Sequence, residues 1–128
     1  MITALYASLL AFLMLWLAIQ VIKQRRKSRV AHADGGIEEL QIARSAHGNA
    51  VDYIPIVLIL MALIEYNGAN PLLIHGLGIV FVVGRVVHAK AILGRDLKGR
   101  VLGMKLTFAV LFALAVFNLI YLPFERLW

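Results

Sequence analysis

Cysteine is absent from this chain. That excludes disulfides, thiolate metal sites and a nucleophilic cysteine, so any thiol chemistry must bring its thiol on a ligand. Proline and glycine are sparse, three and ten residues in 128, and no repeat or low-complexity tract is evident. The four histidines lack metal-site spacing, so no metal centre is expected. Acidic residues are scarce, seven against thirteen Lys and Arg. The stretch from Met1 to Ile22 carries no charged side chain.

What the chain has instead is apolar length. Hydrophobic residues make up 62% of it and mean hydropathy is +0.85, where a soluble domain has ~45–50% apolar residues. These values describe a membrane protein, short enough for one domain. Net charge is +6. In a soluble protein that excess would point to nucleic acid. Here the cations gather in short stretches beside apolar runs, so orientation in the bilayer explains them and no nucleic-acid partner is expected.

Crossing the hydrocarbon takes about 20 apolar residues in helix. Four segments meet this, near residues 2–22, 38–66, 72–93 and 101–122, giving an all-α bundle of four transmembrane helices over residues 1–128. A cleaved signal peptide fits the first segment poorly, because it has no basic leader and positive charge follows it. Glu38 and Glu39 suit the first turn of the second helix, where carboxylates oppose the positive end of the helix dipole. Pro55 falls inside that helix, with a kink expected there. Tyr121 and Trp128 suit an interfacial aromatic belt. The loops after the first and third spans, with Lys90 beside them, hold nine of the thirteen Lys and Arg. Those loops are expected in the cytoplasm, with both termini outside.

Two polar clusters interrupt the apolar segments at the same end of their spans. One runs from Arg44 through Ser45, His47, Asn49 and Asp52 to Pro55. The other runs from Gly84 and Arg85 through His88 to Gly94 and Arg95. An ionisable group within a span costs at least ~2.5–3.5 kcal/mol on insertion scales, which makes each cluster a candidate site. Ser45, Asn49 and Asp52 share one helix face, and Arg85 and His88 are spaced i, i+3. Arg85 is expected to find Asp52 on the neighbouring helix. A buried ion pair that only locks two helices accounts for those two residues, but it leaves Asn49, Ser45, His88 and the basic rim of Arg44, Arg95 and Arg100 unused. An arginine-rich pocket suits a ligand bearing carboxylates. His32 and His75 are expected in loop and packing roles, Glu65 and Lys90 in solvent, and Lys105 near the membrane interface.

These motifs resemble those of the MAPEG family, the membrane-associated proteins in eicosanoid and glutathione metabolism, over the whole chain. Asn49-x-x-Asp52-Tyr53-x-Pro55 resembles the family's helix-two Asn-x-x-Glu-Tyr-x-Pro. Gly84-Arg85-Val-Val-His88 with Leu93-Gly94-Arg95 is similar to helix three of the prostaglandin E synthase branch. His47 to Pro55, followed by Asn118-Leu-Ile-Tyr-Leu-Pro123, looks most like the small bacterial members, which implies a bacterial inner membrane. The resemblance implies a homotrimer binding glutathione as co-substrate between subunits, in a pocket open to the cytoplasm. An arginine after helix three would stabilise the thiolate: Arg100 by position, or Arg95. Arg44, Ser45, Asn49, Asp52, Arg85 and His88 would hold the peptide.

Three positions depart from the family pattern: Asp52 stands for Glu, Ile92 for Tyr, and Ser45 for Arg. The activity implied is a glutathione transferase or peroxidase acting on hydrophobic electrophiles or lipid hydroperoxides. The alternative is a non-catalytic membrane protein that holds a lipid, or acts as a scaffold, through the same pocket. A small multidrug exporter of this size would carry a carboxylate in its first span, and none is present.

Overall fold

The computed structural model describes residues 1–126; Trp128, assigned above to the aromatic belt, lies outside them. Four helices follow in order: α1 (Thr3–Ser28), α2 (Glu38–Tyr66), α3 (Pro71–Leu93) and α4 (Leu97–Ile120), with a short 3₁₀ turn at Phe124–Arg126. All four are long and apolar enough to cross a membrane. The architecture is an all-α four-helix bundle. In hydrocarbon no water can satisfy a free N–H or C=O, so a span of this composition closes its backbone hydrogen bonds internally as helix.

Two boundaries differ from those expected by more than two residues. α1 continues six residues past Ile22, through the basic run, with Arg25, Arg26 and Lys27 in its last turn, where cations favour the negative end of the helix dipole. α4 begins at Leu97 rather than Val101, because Asp96 caps it by accepting from the Lys98 N–H at 3.0 Å. Between α3 and α4 the chain turns in three residues. The Arg95 N–H donates to the Ile92 carbonyl and the Asp96 N–H to the Ala91 carbonyl, at 3.1 and 2.8 Å. This is a Schellman closure with Arg95 in the left-handed position (φ 57°) that glycine usually fills.

The core is one apolar cluster threaded by Tyr6, Leu10, Leu17, Ala50, Val57, Met61, Phe81 and Leu114, among others. α3 and α4 form the most extensive pair, α1 packs on α2 and α3, and α1 does not touch α4. The α3–α4 approach depends on glycine. A Cβ at Gly103 would sit 2.5 Å from the His88 Cβ and 2.8 Å from the Gly84 carbonyl oxygen, and one at Gly84 would sit 2.9 Å from the Leu106 Cβ. Small residues let membrane helices come this close. Large apolar side chains such as Phe12, Ile59, Ile79 and Phe112 point outward, as lipid-facing helices require.

At the end of the bundle that holds the chain's beginning, polar groups answer one another. The Glu65 carboxylate accepts from the backbone N–H groups of Ile2 and, at 2.8 Å, Thr3. It therefore serves as a cap for α1 supplied by α2, and the expectation that Glu65 is solvated is corrected. A helix start leaves N–H donors unsatisfied, and inside a bilayer a nearby carboxylate is their natural acceptor. The Tyr6 hydroxyl meets His75 Nδ1 at 2.8 Å. The Asn118 amide donates to the carbonyls of Leu60 and Leu114 at 3.0 and 2.8 Å.

Candidate functional site

Arg85 is fully buried, and its partner is not Asp52. Its guanidinium donates to Asn49 Oδ1 at 2.6 Å and to the Thr107 hydroxyl at 3.2 Å, and it approaches the Met104 sulfur at 3.8 Å. The Tyr53 ring lies 6.0 Å from its carbon centre. The Thr107 hydroxyl in turn donates to the Gly103 carbonyl at 2.9 Å. Among the described residues no carboxylate pairs with Arg85, and its Nε has no acceptor.

Helix geometry explains the correction. The buried stripe of α2 runs through Ala43, Ala46, Ala50, Ile54 and Val57. At about 100° per residue, Asn49 stands about 100° from Ala50, within reach of α3, whereas Asp52 stands about 160° away. Asp52 is accordingly exposed on the outer side of α2.

His88 lies beside Arg85, with its Nδ1 3.4 Å from the guanidinium. A guanidinium can only donate, so Nδ1 acts as acceptor and the imidazole proton belongs on Nε2. Asn49 spends its oxygen on Arg85, and its Nδ2 donors have no partner among the described residues. Both side chains line an open cleft of about 390 Å³, together with Arg100, Met104, Lys105 and Phe108. Its walls are mainly apolar, and Phe108 packs edge-on against Tyr53 at 5.7 Å.

A second, more polar cleft of about 270 Å³ adjoins it, bounded by Glu38, Ile42, Ser45, Ile92, Arg95, Leu97 and Arg100. Leu97 and Arg100 belong to both clefts. The two candidate thiolate-stabilising arginines are therefore not equivalent. Arg95 is engaged by Glu38 at 3.2 Å and Glu39 at 3.7 Å. Arg100 has no ion pair among the described residues. It stands one turn into α4, placed there by the Asp96 cap.

The remaining predicted residues separate. Arg44 projects from another side of α2 and pairs with Asp34 at 3.6 Å over a surface recess that Ser45 also borders. The Gly36 backbone N–H, with Gln41, Arg44 and Arg25, holds the Asp34 carboxyl below its usual range. Ile92 is buried at the edge of the polar cleft and brings no hydroxyl. The structure thus gathers Asn49, His88 and Arg100 on one cleft, with Arg85 directly behind the wall. It leaves Arg44 and Asp52 outside.

Met104, Thr107 and Phe108 complete the site, and they lie outside both polar clusters of the sequence. The one signal for them was Gly99-x-x-x-Gly103, a close-packing spacing that faces α4 toward the His88 wall.

The MAPEG family model matches residues 3–120 of this chain. The chain belongs to the MAPEG family. It is also 42% identical over 125 residues to the inner membrane protein YecN of Escherichia coli strain K12, an alignment covering 98% of this chain and 95% of that protein. The YecN protein of Escherichia coli O6:H1 matches to the same extent. MAPEG membership makes this a membrane protein of a family named for eicosanoid and glutathione metabolism. Within that frame the cleft shared by α2, α3 and α4 is the candidate site.

Proposed function

We propose that the chain is a glutathione-dependent transferase or peroxidase acting on hydrophobic electrophiles or lipid hydroperoxides. The observation that carries this reading is Arg100, a cation without an ion pair at the junction of a polar cleft and an apolar one. The polar cleft suits the peptide, and the apolar cleft suits a co-substrate delivered by the bilayer. A free thiol with a pKa of about 8.5 is mostly protonated at neutral pH, and a neighbouring cation favours the thiolate. Arg100 would supply that cation. Asn49 Nδ2 and the His88 imidazole offer donors on the same wall, and Arg85, held behind them by neutral partners, leaves one positive charge for an anionic ligand to balance.

In the transferase step the thiolate sulfur bonds to the electrophilic carbon, the carbon–leaving-group bond breaks, and the leaving group takes a proton. In the peroxidase step the thiolate attacks the terminal peroxide oxygen and the O–O bond breaks, releasing the lipid alcohol after protonation. The glutathione sulfenic acid formed then condenses with a second glutathione, giving the disulfide and water.

A second reading is supported by Ile92 and Asp52. Ile92 presents no hydroxyl donor at the polar cleft, and Asp52 faces away from it. A cleft depleted in this way suits a non-catalytic protein that holds a lipid in the same apolar groove, or acts as a scaffold. Thiolate absorbance on adding glutathione separates the two readings. The parent should show the signal, Arg100→Ala should lose it by at least about tenfold in affinity or intensity, given how strongly one adjacent cation weighs on a thiol, and Arg95→Ala should keep most of it. No thiolate signal and no glutathione binding in the parent would reject the enzyme.

The site would be completed between subunits of a homotrimer, a reading supported by the exposure of Asp52 at membrane depth in the single chain. The location proposed is a bacterial inner membrane, with the basic loops in the cytoplasm and both termini outside. A reporter fused to the C-terminus should be active outside the cell membrane, and mass measurement in mild detergent should give three chains; cytoplasmic activity, or monomer alone, would refute these two points.

A further inference from the structure

α1 ends in a run of cations of which only Arg25 is engaged by the rest of the chain among the described residues. Its 26 residues span about 39 Å at ~1.5 Å per residue, against about 30 Å of hydrocarbon. The last two turns therefore reach the headgroup layer. Lys23, Arg26, Lys27 and Arg29 are exposed there.

Asp52 lies deeper along α2, and the carboxylates nearer the basic end of α1 are already engaged. Asp34 pairs with Arg44, Glu38 and Glu39 pair with Arg95, and Asp96 caps α4. Arg25 is also spent, donating to the carbonyls of Val30, Ala31 and Ala33 at 3.4, 3.3 and 2.9 Å. That leaves Lys23, Arg26 and Lys27 on one helix face with no ion pair among the described residues.

The same face is apolar higher up. Projected at about 100° per residue, Phe12, Trp16, Ile19, Lys23, Arg26 and Lys27 fall within a stripe about 100° wide, opposite the side that packs on the bundle. Phe12, Trp16 and Ile19 are 70%, 39% and 40% exposed. The buried side runs instead through Tyr6, Leu10 and Leu17. One strip of α1 thus carries an uncovered apolar length that leads directly into three uncompensated cations at headgroup depth. Water-facing charge alone would not need the apolar part, and a soluble anionic partner could not reach it.

We infer that this strip of α1 is a binding site for an anionic phospholipid of the surrounding bilayer, its acyl chain along Phe12, Trp16 and Ile19 and its phosphate among Lys23, Arg26 and Lys27. The inference is independent of the proposed chemistry in the cleft, which lies on α2, α3 and α4 and has no contact between α1 and α4.

Trp16 lets the contact be read directly. The chain has two tryptophans, so a Trp128→Phe background leaves Trp16 as the reporter. The protein is reconstituted into mixed bilayers of phosphatidylglycerol and phosphatidylcholine with bromine on the chains of one lipid or the other, and quenching is compared. Brominated phosphatidylglycerol should be favoured by at least about fivefold, the weight of one cation beside an anionic surface. The preference should shrink as salt is raised. Lys23→Gln/Arg26→Gln/Lys27→Gln should bring the two lipids to parity, and Lys23→Arg/Arg26→Lys/Lys27→Arg should retain the preference. Equal quenching in the parent overturns the inference. So does no quenching by either lipid, which would mean that another chain covers the strip. A preference surviving the triple Gln variant overturns the assignment to these cations.

Discussion

The two ends of the bundle handle polarity in opposite ways. Near the start of the chain polar groups are answered from within, the buried Thr3 hydroxyl excepted: Glu65 takes the α1 N–H groups, Tyr6 meets His75, and Asn118 ties α4 to α2. At the other end the balance is left open. Arg85 has only neutral partners, Asn49 has spare donors, and Arg100 stands unpaired over two joined clefts. A closed network in a low-dielectric setting rigidifies, whereas a half-answered one is costly unless something else completes it. The closed end reads as a clamp and the open end as a site.

Substitutions that strike both ends test this contrast. The largest effects should come from a paired experiment on close-packed glycines. Gly103→Ala drives a methyl group into the His88 Cβ, and Gly78→Ala drives one into the Tyr6 ring, each at 2.5 Å. Both should destabilise by about 1–3 kcal/mol, as overpacking does. Only Gly103→Ala should also weaken glutathione binding, because it displaces the His88 wall. Equal loss of binding in both would erase the distinction between clamp and site.

Glu65→Ala comes next. It removes the acceptor that caps α1 and should cost about 1 kcal/mol, a typical capping loss, read as a lower thermal midpoint with glutathione affinity unchanged. The smallest effect should come from Asp34, whose carboxyl lies below its usual range chiefly through the Gly36 N–H. A lowered folded-state value means that its stabilisation is present above the ordinary carboxylate range. It is lost as pH falls through the lowered value. Asp34→Asn should abolish that acid-side change in hydrogen exchange at Gly36 and leave neutral-pH stability nearly untouched.

The same contrast shows what was legible in the sequence. The four apolar runs, the basic connections and both polar clusters could be read directly, because hydrophobic length and charge placement depend on local composition. The partner of Arg85 could not. Helical periodicity groups Ser45, Asn49 and Asp52 on a face, but how that face turns toward α3 depends on how the helices pack. The α2 stripe through Ala46, Ala50 and Ile54 rotates Asn49 inward and Asp52 outward. Arg95 and Arg100 look alike in sequence, and only the position of Glu38 and Glu39 tells them apart. The Glu65 clamp joins residues more than sixty positions apart, and no local pattern carries that information.

Arg100 bounds the polar cleft and the apolar cleft at once, and this has a thermodynamic consequence. An occupant of either chamber that fixes the guanidinium changes the environment the other chamber's occupant meets. By linkage, the factor by which a peptide ligand alters the affinity for the apolar ligand must equal the factor in the reverse direction. If the proposed peptide and apolar ligands both bind, one side chain would couple the two chambers, and the sign of that coupling can be measured with two ligands and no chemistry.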